Sequence, residues 1–145
     1  MENNQFMALW DISNQCEREN IRLSHEYQLK HNISDTAFWI LYTLHDADEK
    51  MTQTEICNCL YAPRQSGNTA LKKLEQDGIV KKEAVPGNLK SKYIVLTEKG
   101  QELAERIVAP MKKAEYETFA AFSEEELRIY VAVMQKRCAM FRELL

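Results

Sequence analysis

The clearest pattern of apolar and polar positions lies between Pro63 and Gly78. Small and apolar residues recur there at i, i+3, i+4 and i+7, which predicts one buried helical stripe. These residues are Gly67, Ala70, Leu71 and Leu74. The opposite side is polar, and its side chains all donate hydrogen bonds while none is acidic. They are Gln65, Asn68, Thr69, Lys72 and Gln76. A helix of this kind suits the major groove of DNA, where base edges offer hydrogen-bonding groups.

A shorter helix is predicted just before this one. Thr52 and Glu55 have the spacing of a capping box, in which the hydroxyl accepts a backbone N–H and the carboxylate bonds back. The residues that this helix should bury are Ile56 and Leu60. We interpret Tyr61 and Ala62 as a turn, and Pro63 as the first residue of the next helix, where proline is tolerated.

A β hairpin is predicted after Gly78, which can take the positive φ that ends a helix. Ile79–Val85 and Ser91–Leu96 are the predicted strands, and Pro86-Gly87-Asn88 is the turn between them. Two lysines that are two residues apart should lie on one side of the second strand. They are Lys90 and Lys92.

Two helices are predicted before these elements. The first is amphipathic and covers Phe6–Lys30. Ser34 is the predicted N-cap of the second. Its inner face should consist of Ala37, Ile40, Leu41 and Leu44, with Phe38, Trp39 and Tyr42 off that face.

Two more helices are predicted after the hairpin. Thr97 should cap the first of them, and Pro110 should kink it. The apolar face of this helix should consist of Leu103, Ile107, Met111 and Ala114. Ser123 and Glu126 have the spacing of a second capping box, which starts a helix over Glu124–Leu144. Its apolar side should consist of Leu127, Tyr130, Val131, Met134, Cys138 and Phe141.

Composition narrows the class of protein. The 145 residues fit one domain, and a hydrophobic fraction of 45% with 28% charged residues excludes extensive disorder. The longest apolar run, Ala37–Tyr42, is too short to span a bilayer, and the N-terminus does not resemble a signal peptide. We therefore expect a cytoplasmic protein without a membrane partner.

Charge is distributed unevenly along the chain. The net charge is −3, but Pro63–Gly100 carries eight basic and four acidic residues and hence +4, which leaves −7 for the remainder. A basic patch on an acidic body can still bind phosphates.

Catalytic and metal-binding motifs are not found. The sequence has no nucleophile elbow, glycine-rich phosphate loop or plausible pair of catalytic acids. Neither the three histidines nor the four cysteines have the spacing of a metal site. We therefore predict no enzymatic activity, no cofactor and no metal. The cysteines are expected to be reduced, buried thiols. They are Cys16, Cys57, Cys59 and Cys138.

The order of these elements resembles the MarR family of winged helix-turn-helix regulators. The most specific residues are the blocks Leu71–Val80 and Val95–Gly100, which enclose a hairpin of the right length. The resemblance covers nearly the whole chain. It implies a mostly α fold with a small β hairpin, in which residues 34–100 form a winged helix-turn-helix module. Within this single chain of residues 1–145, residues 1–33 and 101–145 would be dimerisation helices.

The resemblance also implies a function. In that family the two reading helices of a homodimer enter successive major grooves of double-stranded DNA, and the hairpin tips, or wings, reach the flanking minor grooves. The reading-helix residues expected to contact DNA are Arg64, Gln65, Ser66, Asn68, Thr69, Lys72, Lys73 and Gln76. The expected wing contacts are Asn88, Lys90 and Lys92. The prediction is a sequence-specific transcriptional regulator, most simply a repressor, on a pseudo-palindromic operator.

The wing departs from the family pattern. Asn88 and Lys90 occupy positions where the family usually has aspartate and arginine. Lysine is more strongly hydrated than arginine and less suited to a narrow minor groove. We therefore expect Lys90 and Lys92 to act mainly on phosphates.

By family analogy, a small aromatic or phenolic effector is expected near an aromatic group. The residues of this expected pocket are Trp10, Phe38, Trp39 and Tyr42. Two alternatives remain open. One is a winged helix that binds another protein, which the acidic net charge favours. The other is a thiol- or metal-responsive sensor of the same fold, with Cys16 as the reactive thiol.

Overall fold

The computed structural model describes residues 3–60 and 63–145, except for the side chain of Asn3. The predicted turn at Tyr61 and Ala62 lies outside the described residues. The elements follow the order α1 (Asn3–Lys30), α2 (Asp35–His45), β1 (Met51–Thr52), α3 (Gln53–Cys59), α4 (Arg64–Gln76), β2 (Val80–Val85), β3 (Asn88–Leu96), α5 (Glu98–Ala120) and α6 (Glu124–Leu144). The predicted fold class, mostly α with a small antiparallel sheet, is confirmed.

The chain divides into two compact units, Met1–Val108 and Ala109–Leu145. The core of the first unit forms around α2, which contacts α1, α3, α4 and β3. Phe38, which was predicted to lie off the inner face of α2, is completely buried. Its ring packs edge-on against Tyr27 of α1, with 6.1 Å between the centroids. A helix that is apolar on most sides is covered on most sides, so α2 is the central helix of this unit.

The sheet has three antiparallel strands in the order β1-β3-β2. The hairpin is present, although β3 starts at Asn88, three residues earlier than predicted. Gly87 has a φ of +74° in the turn, as the turn signal requires. The strand β1 was not predicted, because two residues are too few to show the alternation that marks a strand. It pairs Met51 with Ile94 and Thr52 with Tyr93.

Helix α3 begins at the predicted capping box. The backbone N–H of Thr52 donates to the Glu55 carboxylate over 2.7 Å, and the Thr52 hydroxyl accepts from the Glu55 N–H. Ile56 is completely buried as predicted. Leu60 is only half-buried, and Cys57 is the second buried residue of α3.

Helix α4 confirms the predicted stripe. Its buried residues are Gly67, Ala70, Leu71 and Leu74. Pro63 is the N-cap rather than the first helical residue, and its carbonyl accepts the N–H of Gly67. Gly78 follows the helix with a φ of +70°, as predicted.

Thr97 joins the end of α4 to the start of α5. Its hydroxyl donates to the Gly78 carbonyl over 2.6 Å and accepts from the Gly100 N–H over 3.0 Å, which confirms the predicted cap. Gly100 must be glycine, because a Cβ there would lie 2.0 Å from the Ile79 carbonyl oxygen. The segment that follows α4 and the start of α5 are therefore in contact through backbone atoms.

The apolar face of α5 in the first unit differs from the predicted one. Its buried residues are Gly100, Ala104, Ile107 and Val108, whereas Leu103 is half-buried. Ile107 was predicted; the small Ala104 was not, because alanine gives a weak periodicity signal. The main-chain oxygen of Ile107 accepts the Tyr27 hydroxyl of α1 over 2.8 Å.

The second unit contains the end of α5 and all of α6. The capping box of Ser123 and Glu126 is present, and α6 has the predicted bounds. No residue of α6 is buried by the described chain. Phe119 of α5 meets Tyr130 of α6 edge-on, with 5.9 Å between the ring centroids.

Candidate nucleic-acid interface

The polar side of α4 is open to solvent. All eight side chains predicted to contact DNA from this helix are exposed. They are Arg64, Gln65, Ser66, Asn68, Thr69, Lys72, Lys73 and Gln76. The buried stripe contacts α2 and α3, so α4 cannot rotate about its axis without exposing apolar surface. This packing keeps the polar side facing outward.

Three of these side chains have a polar atom engaged within the protein, namely Asn68, Thr69 and Lys73. Asn68 Oδ1 accepts a hydrogen bond from Gln53 Nε2 of α3 over 2.6 Å. The Thr69 hydroxyl donates to the main-chain oxygen of Gln65 over 2.9 Å, so it remains an acceptor only. The amide of Gln65 has no partner among the described side chains. The amide of Gln65 is therefore free to turn, whereas the amide of Asn68 is held by Gln53.

A groove of about 420 Å³ lies beside α4, between α3 and the hairpin. Its lining residues are Thr52, Gln53, Thr54, Cys57, Arg64, Asn68, Lys82, Lys90, Ser91 and Lys92. Four of these side chains are cations, and no carboxylate is among those described. Such a groove attracts an anion of phosphate size.

The cations differ in whether an acid neutralises them. Lys82 donates to Glu75 over 2.7 Å, and Lys73 donates to Asp77 over 2.9 Å. On α4 and the hairpin, four cations form no ion pair with any residue that the structure describes. They are Arg64, Lys72, Lys90 and Lys92. The positive charge of the segment is thus concentrated on the outer side of α4 and on the wing.

The tip of the wing is shaped by Asn88. Its Oδ1 accepts from the N–H groups of Lys90 and Ser91 over 3.0 and 3.2 Å, which is an Asx-type turn. Asn88 is one of the expected wing contacts, and its oxygen is thus occupied in holding the backbone of Lys90 and Ser91. Between Asn88 and Lys90, Leu89 is 94% exposed. The structure gives Asn88 a positioning role at this tip.

The expected aromatic pocket is only partly assembled. Phe38, Trp39 and Tyr42 lie together, with ring centroids 5.0 to 6.2 Å apart. Trp10 stacks on Phe6 at the other end of α1. At 1.5 Å per residue, Trp10 lies roughly 25 Å along the helix from Tyr27, which touches Phe38. One protomer therefore does not bring all four residues together.

Three of the four cysteines are exposed, so the expectation of buried thiols is wrong for them. They are Cys16, Cys59 and Cys138. Their helices have polar or uncovered surfaces at these positions, whereas Cys57 lies between α3 and α4. The described residues contain no group of three potential metal ligands. Within the same residues, no helix is long and apolar enough to cross a membrane.

Sequence reasoning missed six of the ten groove residues, and two of them, Gln53 and Lys82, bear on binding. Gln53 is the first residue of α3, and its contact with Asn68 spans fifteen positions, which periodicity cannot detect. Lys82 lies on β2, two residues before the Ala84 that faces Lys92 across the hairpin. A register counted from the turn would not have placed Lys82 correctly, because the pairing of the two strands shifts between Ala84 and Val85.

Comparison with known proteins agrees with this geometry. A family model described as the MarR family matches residues 31–90. The HTH-type transcriptional regulator PecS of Dickeya dadantii (strain 3937) is 31% identical over 99 residues, which are 67% of this chain. The aligned stretch spans 60% of PecS.

Solved structures share the fold. The Staphylococcus aureus MepR–DNA complex has a TM-score of 0.72 and 19% identity, with coverage of 90% of this chain and 95% of MepR. Staphylococcus aureus MarR in complex with salicylate and kanamycin has a TM-score of 0.71 and 20% identity, with coverage of 97% and 95%.

The helices α3 and α4 with the hairpin beside them define a winged helix-turn-helix protein. The chain belongs to the MarR family of transcriptional regulators.

Proposed function

We propose that this chain is a sequence-specific DNA-binding regulator that acts as a homodimer, most simply as a repressor that blocks a promoter. The observation that carries the proposal is the exposed polar side of α4 beside a groove lined by cations. Base edges in the major groove are read by amides and cations on a helix, while phosphates are held by lysines and arginines. Both sets of groups are present side by side.

Each part of this surface has a separate task. Gln65 and Lys72 are the side chains that read bases, because both are exposed and have no partner in the described chain. Arg64, Lys90 and Lys92 hold phosphates of the backbone. Base contacts give sequence preference, and phosphate contacts give affinity that depends on salt.

The dimer is supported by apolar surface that a single chain leaves uncovered. The exposed apolar residues at the start of α1 are Phe6, Met7, Leu9, Trp10 and Ile12. Those of α6 include Tyr130, Val131, Met134 and Phe141. Contiguous apolar surface of this extent marks an interaction site. A two-fold dimer would present two reading helices to half-sites about one helical turn apart, and the operator would be pseudo-palindromic.

The proposal also includes a small aromatic effector that binds near α2. The cluster of Phe38, Trp39 and Tyr42 offers apolar ring surfaces, and Trp39 and Tyr42 are half-buried rather than enclosed. A pocket that also uses Trp10 requires both protomers of the dimer. An effector would release DNA only by preferring a dimer whose reading helices are wrongly spaced.

Selection from random DNA at physiological salt defines an operator, and fluorescence anisotropy at several salt concentrations then compares two variants. Gln65→Ala should reduce the discrimination between operator and scrambled duplex by about fivefold or more, since one bidentate base contact is lost. Lys92→Ala should weaken both duplexes equally and reduce the salt slope by about one. Added salicylate should release wild-type protein from the operator if the effector site exists.

Equal behaviour of the two variants would contradict the assignment of reading and phosphate contacts. Absence of any affinity for bulk DNA at low salt would contradict the function itself. That result would favour the alternative in which the winged helix binds another protein.

A further inference from the structure

The reading helix is tied to α3 by a pair of side-chain amides. Gln53 is the first residue of α3, next to the N-cap Thr52, and it lines the cationic groove. Its Nε2 donates to Asn68 Oδ1 of α4 over 2.6 Å. The bond therefore joins a residue outside the reading helix to one that faces outward from it.

This pairing restricts how Asn68 can turn toward a base. An asparagine pairs with adenine through both ends of its amide, the oxygen accepting from N6 and the nitrogen donating to N7. The bond from Gln53 uses one of the two lone pairs of the Asn68 oxygen, so Asn68 keeps one acceptor site and its NH₂ donors for a base. The bond therefore holds the amide in one orientation without removing either of the groups that adenine needs.

We propose that Gln53 determines the base preference at the operator position that Asn68 faces; this inference rests on the proposed DNA-binding function. With its amide held by Gln53, Asn68 is preorganised for the two-pronged adenine contact, in which its oxygen accepts and its nitrogen donates. An amide that turns freely presents either end to a base, and its preference for adenine is then weaker.

Removal of Gln53 lets the Asn68 amide turn. The variant Gln53→Ala should therefore lose part of the preference for adenine at that position, while Asn68→Ala should lose all of it, about fivefold or more for one bidentate contact. The double variant should behave as Asn68→Ala does, because Gln53 acts only through the Asn68 amide, and such coupling is the mark of interacting residues.

The control is Thr54→Ala, which alters the next residue of α3 on the lining of the same groove. It should leave the selected sequence unchanged. Selection from random DNA followed by sequencing, carried out in parallel on the full chain and all variants, measures these preferences.

A second measurement needs no DNA. The side-chain NH₂ resonances of Asn68 in an ¹⁵N–¹H spectrum should shift in Gln53→Ala and stay in place in Thr54→Ala. If these resonances do not move in Gln53→Ala, the hydrogen bond between Gln53 and Asn68 is contradicted and the inference fails.

The outcomes separate this inference from the function on which it rests. If the wild type selects an operator but Gln53→Ala and Asn68→Ala act independently on it, the role of Gln53 is wrong and DNA binding stands. If the wild type selects no sequence, sequence-specific binding fails, and the role of Gln53 fails with it.

Discussion

Helices α4 and α6 are both amphipathic, but the chain covers the apolar side of only one of them. In α4 the four residues of the apolar stripe are buried against the rest of the first unit. In α6 the apolar side is longer, yet no residue of it is buried. Phe141 is 63% exposed there, whereas Leu71 of α4 is 3% exposed.

The difference separates two kinds of surface. Because α4 has its apolar stripe covered within the first unit, its polar side is left for a polar partner. Because α6 has its apolar side uncovered, an apolar partner is needed to remove that surface from water. One helix is thus suited to a nucleic acid and the other to a second copy of the chain.

The largest expected effect comes from charging the uncovered side of α6. The double variant Met134→Glu/Phe141→Glu should be monomeric, because two carboxylates would have to be desolvated in the dimer. Its affinity for the operator should fall by about a hundredfold or more, since the second half-site no longer benefits from linkage to the first. Light scattering coupled to size exclusion measures the first effect, and anisotropy the second.

Lys136→Glu is the matched control, because it changes the net charge by the same amount on the opposite side of α6. It should remain dimeric. A double variant that stays dimeric, or a wild type that is monomeric, would remove the distinction between α4 and α6.

The next effect tests how closely α4 is covered. A Cβ at Gly67 would lie 2.6 Å from the Cys57 sulfur but 3.8 Å from the Cys57 Cβ. Gly67→Ala should cost up to about 2 kcal/mol of stability, because overpacking costs about 1–3 kcal/mol and helix propensity returns up to about 1 kcal/mol. Urea denaturation measures the loss.

The same substitution in a Cys57→Ala background should have the opposite sign. With the sulfur removed the new Cβ makes an ordinary contact, and the gain in helix propensity remains, about 0.5–1 kcal/mol relative to Cys57→Ala alone. If Gly67→Ala destabilises both backgrounds equally, the sulfur is not what limits the approach of α3 and α4.

The reading helix was predictable because its signals are local. The stripe from Gly67 to Leu74, the cap at Thr52 and the positive φ of Gly78 each lie within a few residues of the structure they specify. The burial of Phe38, off the inner face of α2, was less predictable, because it depends on Tyr27, which belongs to another helix.

The candidate site was predictable in outline and not in its internal bonds. The exposed side of α4 follows from the periodicity that also buries Leu71 and Leu74. The pairing of Gln53 with Asn68 depends on how two helices pack, which the local pattern does not contain. The separation of Trp10 from Phe38 was not predictable either, because it follows from the path of α1 and not from a local pattern.

The smallest expected effect uses the capping boxes that start α3 and α6. The pKa of Glu55 and that of Glu126 lie below the ordinary value, mainly because the backbone N–H of Thr52 or Ser123 donates to the carboxylate. A carboxyl with a lowered pKa in the folded state stabilises the fold above its unfolded pKa, near 4.5, and loses this contribution as pH falls through the folded pKa. Glu55→Gln and Glu126→Gln should therefore each lower stability at neutral pH and flatten its decline between about pH 5 and pH 3.

The two boxes should differ in one respect that follows from the contrast between α4 and α6. The effect of Glu55→Gln should not depend on protein concentration, because α3 lies in the unit that covers its own core. The effect of Glu126→Gln should depend on concentration, since α6 is stabilised by a second copy in the proposed dimer and dimer stability follows mass action. Thermal unfolding followed by circular dichroism from pH 7 to pH 3, at two protein concentrations, measures both. The control is Glu125→Gln, which lies in the same first turn of α6 but outside the capping box. An equal concentration dependence of Glu55→Gln and Glu126→Gln would contradict the difference between α4 and α6.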